Sequence, residues 1–178
     1  MNLVLIGTDH RLQAPVAWDP KTNTWVPRPG GDRYRRLVTY CVEKLDVKAI
    51  MEETHPDQEK LCPSIASRLA KKMGVPWDTL GMGELGPEDF LGDPPPQEAV
   101  RRNVKPYLLA GIYRLDAHNL REEKMRANLK DALKQFGNVL GIVGFVHLGV
   151  LARLFEADKI PVTALLFTGP LIVDETMS

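Results

Sequence analysis

The sequence predicts an α/β fold: a single three-layer domain with a mainly parallel sheet and helices on both faces. Three observations predict it. Short continuous apolar runs alternate along the chain with amphipathic segments at three- and four-residue spacing, the order expected of βαβ units. The runs do not alternate polar with apolar, which suits strands covered on both faces. The length of 178 residues, 44% hydrophobic and 26% charged, fits one globular domain, 1–178, and excludes wholesale disorder.

Leu3 to Ile6, closed by Gly7, reads as the first core strand. Residues 11–31 carry four prolines, two tryptophans and Gly30-Gly31, and read as a long loop with a hairpin through Trp18 and Trp25. Asp32 is placed to cap a helix from Arg33 to about Leu45, whose Tyr34, Leu37, Val38, Cys41, Val42 and Leu45 form one buried stripe. Val47 to Met51 follows as a strand running into Glu52-Glu53-Thr54-His55-Pro56. The next helix starts at Asp57 or Ser64, with Pro63 in its first turn on the latter reading, and runs to Met73, ended by Gly74. Val75 to Leu80 reads as a short strand.

Residues 81–106, with Pro94-Pro95-Pro96, form a second long loop in which Gln97 to Asn103 can make a short helix. Asn119-Leu120-Arg121-Glu122 resembles a capping box opening a helix to about Phe136, with Met125, Leu129, Leu133 and Phe136 as its apolar stripe and Gly137 as its stop. Val139 to Val143 is a strand reaching Gly144-Phe145-Val146-His147. A helix from about Leu148 to Ala157 and a last strand from Ile160 to Phe167 complete the fold, with 168–178 as a peripheral tail.

Composition excludes several function classes. Lys plus Arg is 23 and Asp plus Glu is 23, so no net field draws in nucleic acid or an anionic membrane surface. No apolar run approaches the roughly 18 residues that span a bilayer, and the amino terminus has no basic region ahead of its apolar run. With only Cys41 and Cys62 there is no disulfide framework. A cytoplasmic protein with reduced thiols is expected. Gly81-Met82-Gly83-Glu84-Leu85-Gly86 matches a dinucleotide fingerprint by letter, but no helix opens within it.

The chemistry is positional. Three strands expected to be parallel end in Gly7-Thr8-Asp9-His10, in Glu52-Glu53 and in Gly144-Phe145-Val146-His147. Ligands of open parallel sheets bind where the strands end in their carboxyl-side loops. If the strands are neighbours, His10, Glu52 or Glu53, and His147 meet at one edge. A glycine three residues before each histidine is expected to let the chain turn sharply at the strand tip. Two histidines and a glutamate suit a divalent transition metal. They equally suit metal-free acid–base work, in which Glu52 or Glu53 activates water and a histidine carries the proton. Arg121 is placed to bind substrate or orient a glutamate, and His55 is a third imidazole near the site.

These motifs together resemble the TraB/PrgY/TIKI group, related to erythromycin-esterase and ChaN-like proteins: two G-x-x-H elements, Gly7 to His10 and Gly144 to His147, a glutamate after the second strand, and R-(E/D)-x-x-M at Arg121 to Met125, in the same chain order. The resemblance implies a compact α/β hydrolase-like fold with its site at the sheet edge. It implies a small-molecule or peptide substrate, and either metal-dependent or metal-free hydrolysis. The rival readings are a non-enzymatic module binding a metal, a nucleotide or another small molecule, and an interaction protein, self-association included, using Trp18, Trp25 and Pro94 to Pro96.

Overall fold

The computed structural model describes residues 1–19, 21–27, 30–54, 62–80 and 106–168; within these, the side chains at 10, 11, 17–19, 25 and 106–120 are not described. The elements are β1 (Asn2–Thr8), α1 (His10–Gln13), β2 (Val16–Asp19), β3 (Thr24–Pro27), α2 (Gly31–Lys44) and β4 (Ala49–Glu52), then α3 (Ile65–Met73), β5 (Trp77–Thr79), α4 (Pro106–Phe136), β6 (Asn138–Gly144), α5 (Phe145–Ala157) and β7 (Val162–Phe167).

Five strands form one sheet in the order β5-β4-β6-β1-β7, and every pairing is parallel. The strands ending in Glu52, Gly144 and Thr8 are therefore direct neighbours, with β6 between β4 and β1. Alternate residues of each strand feed two cores. Leu3, Leu5, Met51, Val139 and Val143 pack with Met125, Leu129 and Leu133 of α4 and with Leu151 and Phe155 of α5. Val4, Ile6, Ile50, Leu140 and Ile142 pack on the other face with Tyr34, Val38 and Cys41 of α2 and with Ile65, Leu69 and Ala70 of α3. This is the expected three-layer α/β domain. Helices α2 and α3 cover one face and α4 and α5 the other, and in open parallel sheets the carboxyl edge of the strands is where ligands bind.

Residues 11–31 carry the expected hairpin and more regular structure than a long loop. They hold the end of α1, the β2–β3 hairpin pairing Trp18 with Trp25, and the first residue of α2. Asp32 does not cap α2: Gly30, at φ 82°, is the N-cap, no side chain caps the helix, and Asp32 sits in the first turn facing Arg35 at 3.4 Å. A left-handed glycine replaced the side-chain cap. Helix α3 begins at the later of the two expected starts, capped by Ser64, whose Oγ accepts from the Ser67 amide at 3.0 Å. Pro63 thus precedes the cap rather than occupying the first turn. Gly74 and Gly137, at φ 68° and 83°, follow the last residues of α3 and α4 as expected.

The capping-box reading at Asn119 to Glu122 fails. Helix α4 runs through these residues from Pro106, whose missing amide hydrogen and fixed φ suit a helix start. With no break upstream, Glu122 is free to face the core rather than to cap. Helix α5 also starts earlier than expected, at Phe145, so His147 lies in its first turn and not in a loop. Asp158, just past α5, accepts from Arg126 at 2.9 and 2.5 Å and from Lys130 at 3.2 Å, clasping α5 to α4. Among the described residues, no helix is long and apolar enough to cross a membrane.

Candidate functional site

The carboxyl edge of β4 and β6 holds a buried polar cluster. Four side chains from three places in the sequence build it. Glu53 follows the last residue of β4, Arg121 and Glu122 lie on consecutive positions of α4, and His147 enters from α5. Glu53, Glu122 and His147 are 1%, 5% and 2% exposed.

The local sequence explains each placement. His147, Leu151 and Phe155 repeat at four-residue spacing and are the buried face of α5. Glu122, Met125 and Leu129 likewise share one buried face of α4. Each polar group thus occupies the end of an apolar stripe and points where the stripe points. The α4–α5 clasp through Asp158 holds the two stripes against each other.

His147 Nδ1 lies 3.0 Å from Glu122 Oε1. An ionised carboxylate accepts only, so this contact puts a ring proton on Nδ1 and turns Nε2 toward β4. Nε2 faces Glu53 Oε1 at 3.7 Å, too far for a direct hydrogen bond. Glu53 is held from two other sides: Arg121 Nη2 donates to Oε1, and the Gly144 amide donates to Oε2 at 2.6 Å. A separation of 3.7 Å is one that a single water can bridge. Such a bridge would set a water against an imidazole nitrogen and a carboxylate, the pairing that acid–base hydrolysis uses.

Consecutive residues on an extended strand point to opposite faces, and Glu52 and Glu53 obey this rule. Glu52, fully buried, turns to the α2–α3 side. There the Ser64 hydroxyl donates to its Oε2 at 2.5 Å and the Trp77 indole N–H donates at 2.9 Å. Its charge, after burial, helps hold the Tyr34 hydroxyl well above its ordinary pKa. The structure thus separates the two glutamates: Glu53 joins His147, and Glu52 ties β4 to the α3 cap and to β5.

Two further expectations concern the first G-x-x-H and His55. The backbone of His10 opens α1 directly after β1, and Thr8 pairs with Gly144, so His10 starts at the same edge as the cluster. Its side chain and all of His55 lie outside the described residues, as do His118's side chain and residues 81–105. The glycines serve differently from the expected sharp turn. Gly7 is within β1, and a Cβ there would lie 2.8 Å from Cβ and Cδ2 of Leu148, so the glycine admits α5 close to the strand. Gly144, at φ −57°, needs no glycine freedom; its amide is what binds Glu53.

The sequence reading placed Glu122 in a capping box, and the structure makes it the partner of His147. The signal was its register with Met125 and Leu129. Ser64 and Trp77, the donors to Glu52, carried no comparable mark. Among the described residues, no group of three His, Cys, Asp or Glu side chains is arranged to hold a metal ion. The donor chemistry agrees: Glu53 is bound to a guanidinium and an amide, and Glu122 to an imidazole, so the described residues do not fit a divalent metal. Compared with known proteins, the chain matches no protein-family model, no curated protein and no solved structure.

Proposed function

We propose that the chain is a hydrolase acting on an acyl bond, an ester or amide, in a small molecule or peptide. One observation carries the reading: the two ring nitrogens of a buried histidine are addressed by two carboxylates from different elements, one in hydrogen-bond contact at 3.0 Å and the other at 3.7 Å. In this reading Glu122 holds His147 with Nε2 as the base. Nε2 takes a proton from the water lying against Glu53, and the water oxygen attacks the acyl carbon. The resulting tetrahedral intermediate collapses, the bond to the alcohol or amine breaks, and His147 returns the proton to that leaving group. The transient imidazolium lies between two carboxylates, which stabilises it where it forms. Arg121 orients Glu53 and supplies the compensating positive charge. The resemblance to the TraB/PrgY/TIKI group, read from the order of the motifs, supports the same class of reaction.

The test is a panel of esters, amides and phosphoesters with the wild-type chain and with His147→Gln, a variant of similar volume. Hydrolysis of an acyl substrate with kcat/KM falling about 10²–10⁴-fold in the variant, which circular dichroism shows to be folded at the assay temperature, is expected. Turnover that survives His147→Gln, or no turnover beside tight binding of a nucleotide or metal ion, overturns the proposal. The second outcome favours the binding module.

A further inference from the structure

Glu53, Glu122 and His147 gather on the α4–α5 side of the sheet. The α2–α3 side has buried polar groups of its own, and one of them is unexplained. Tyr34, in the first turn of α2, is fully buried, and among the described residues its hydroxyl makes no hydrogen bond. Buried polar groups are nearly always hydrogen-bonded, to protein or to ordered water, because an unpaired one loses its hydration for nothing.

The strand registers place the surroundings of that hydroxyl. The Tyr34 ring packs on the ring of Phe167, with centroids 5.5 Å apart. Phe167 pairs with Thr8, and Thr8 with Gly144, so Tyr34 lies at the carboxyl edge of the sheet. Thr8, fully buried, follows Ile6 by two residues and shares its α2–α3 face. Glu52 follows Ile50 by two residues and points the same way. Strand β6 runs between β1 and β4, and its last residue, Gly144, adds no side chain to that face. Burial is the first cause of the raised Tyr34 pKa and the Glu52 charge the second, so the carboxylate lies within electrostatic reach of the hydroxyl.

We infer that the chain holds an internal water molecule on this face, accepting hydrogen from the Tyr34 hydroxyl and donating to the Glu52 carboxylate. A water accepts from a phenol and donates to a carboxylate at once, and an ionised carboxylate has room for more than the two bonds that Ser64 and Trp77 give Glu52. It takes about 30 Å³, the space of a small side chain such as Gly144 omits. Thr8, Tyr34 and Glu52 are 0% exposed and Ser64 is 4% exposed, so the partner of the hydroxyl is enclosed and small. The water joins α2 to β4 as Ser64 joins α3 to β4, which gathers both helices of this layer onto Glu52. The site is independent of the hydrolase reading, because Glu52 faces away from Glu53 and His147.

The experiment has two parts, and the inference requires both results. A high-resolution crystal structure of the wild-type chain is expected to show an ordered water within about 3.2 Å of both the Tyr34 oxygen and a Glu52 oxygen. A Tyr34 oxygen bonded directly to a protein atom, or without a water in reach, overturns the inference. In thermal unfolding, Tyr34→Phe keeps the ring and removes the hydroxyl. It is expected to melt below wild type, because the water loses a partner, while Tyr40→Phe, at an exposed position of the same helix, melts with wild type. A Tyr34→Phe chain that melts at or above wild type means that the hydroxyl is unpaired in solution, and also overturns the inference.

Discussion

Arg121 and Glu53 differ in their access to water, and that difference makes their removal unequal. The Glu53 side chain is 1% exposed and that of Arg121 is 23% exposed. Replacing Arg121 with Met keeps length and apolar volume but leaves a sealed carboxylate without its cation. Removing one partner of a buried ion pair costs about 3–5 kcal/mol. Replacing Glu53 with Gln leaves the guanidinium, which still reaches solvent, and the cost is an imperfect hydrogen bond of about 1–2 kcal/mol. At about 2–4 °C per kcal/mol for a chain of this size, Arg121→Met lowers the melting temperature by roughly 6–20 °C and Glu53→Gln by roughly 2–8 °C. Acid narrows the Arg121→Met deficit, because the stranded carboxylate can take a proton in place of the lost cation. Adding Glu53→Leu to Arg121→Met restores part of the loss, since the stranded carboxylate is removed as well. The assay is thermal and urea unfolding of the four proteins at pH 7 and pH 5. Equal costs for the two single variants, or an Arg121→Met variant as stable as wild type, would refute the buried-pair reasoning.

Four other outcomes follow from the structure. Gly7→Ala drives a Cβ to 2.8 Å from Leu148 and is expected to cost about 1–3 kcal/mol, with Leu148→Ala relieving it in the double variant; additive losses in unfolding experiments would contradict the close approach. Asp158 is held below its ordinary pKa of 3.8, first by its hydrogen bond from Arg126, so its stabilising effect is complete above that pH and is lost as pH falls through the lowered value. Asp158→Asn should therefore melt below wild type at pH 7, with the gap closing as pH falls below 3.8. Burial pushes the Cys41 thiol up to about 11, so in the folded chain a thiol reagent at pH 8 should label the partly exposed Cys62 and spare Cys41. The raised value also means that Cys41's contribution is complete below about pH 9 and fades toward pH 11, a slope that Cys41→Ala removes in alkaline melts.

Much of the layout was legible because parallel strands buried on both faces leave an unmistakable run of apolar letters. Leu3 to Ile6 and Val139 to Val143 needed no context. The strand order was not legible, since nothing local says that β6 inserts between β1 and β4. That insertion is what makes Glu53 and His147 neighbours. Helix starts failed where the chain used backbone rather than side chains. Gly30 replaced the Asp32 cap, and α4 passed through a capping-box sequence because no break preceded it. The choice between Glu52 and Glu53 needed only the phase of β4. Ile50 belongs to the α2–α3 core and Met51 to the α4–α5 core, and the two glutamates continue that alternation. Glu122 was readable by the same phase argument, as a charge on the inner face of its helix.

The position of one proton tests the central claim most directly. Nitrogen-15 imidazole spectra of the labelled chain, with His147→Gln supplying the assignment, report which ring nitrogen of neutral His147 carries hydrogen. The Glu122–His147 contact predicts hydrogen on Nδ1, with the preference lost in Glu122→Ala. Hydrogen on Nε2, or a spectrum that Glu122→Ala leaves unchanged, would contradict it and remove the base from the proposed reaction.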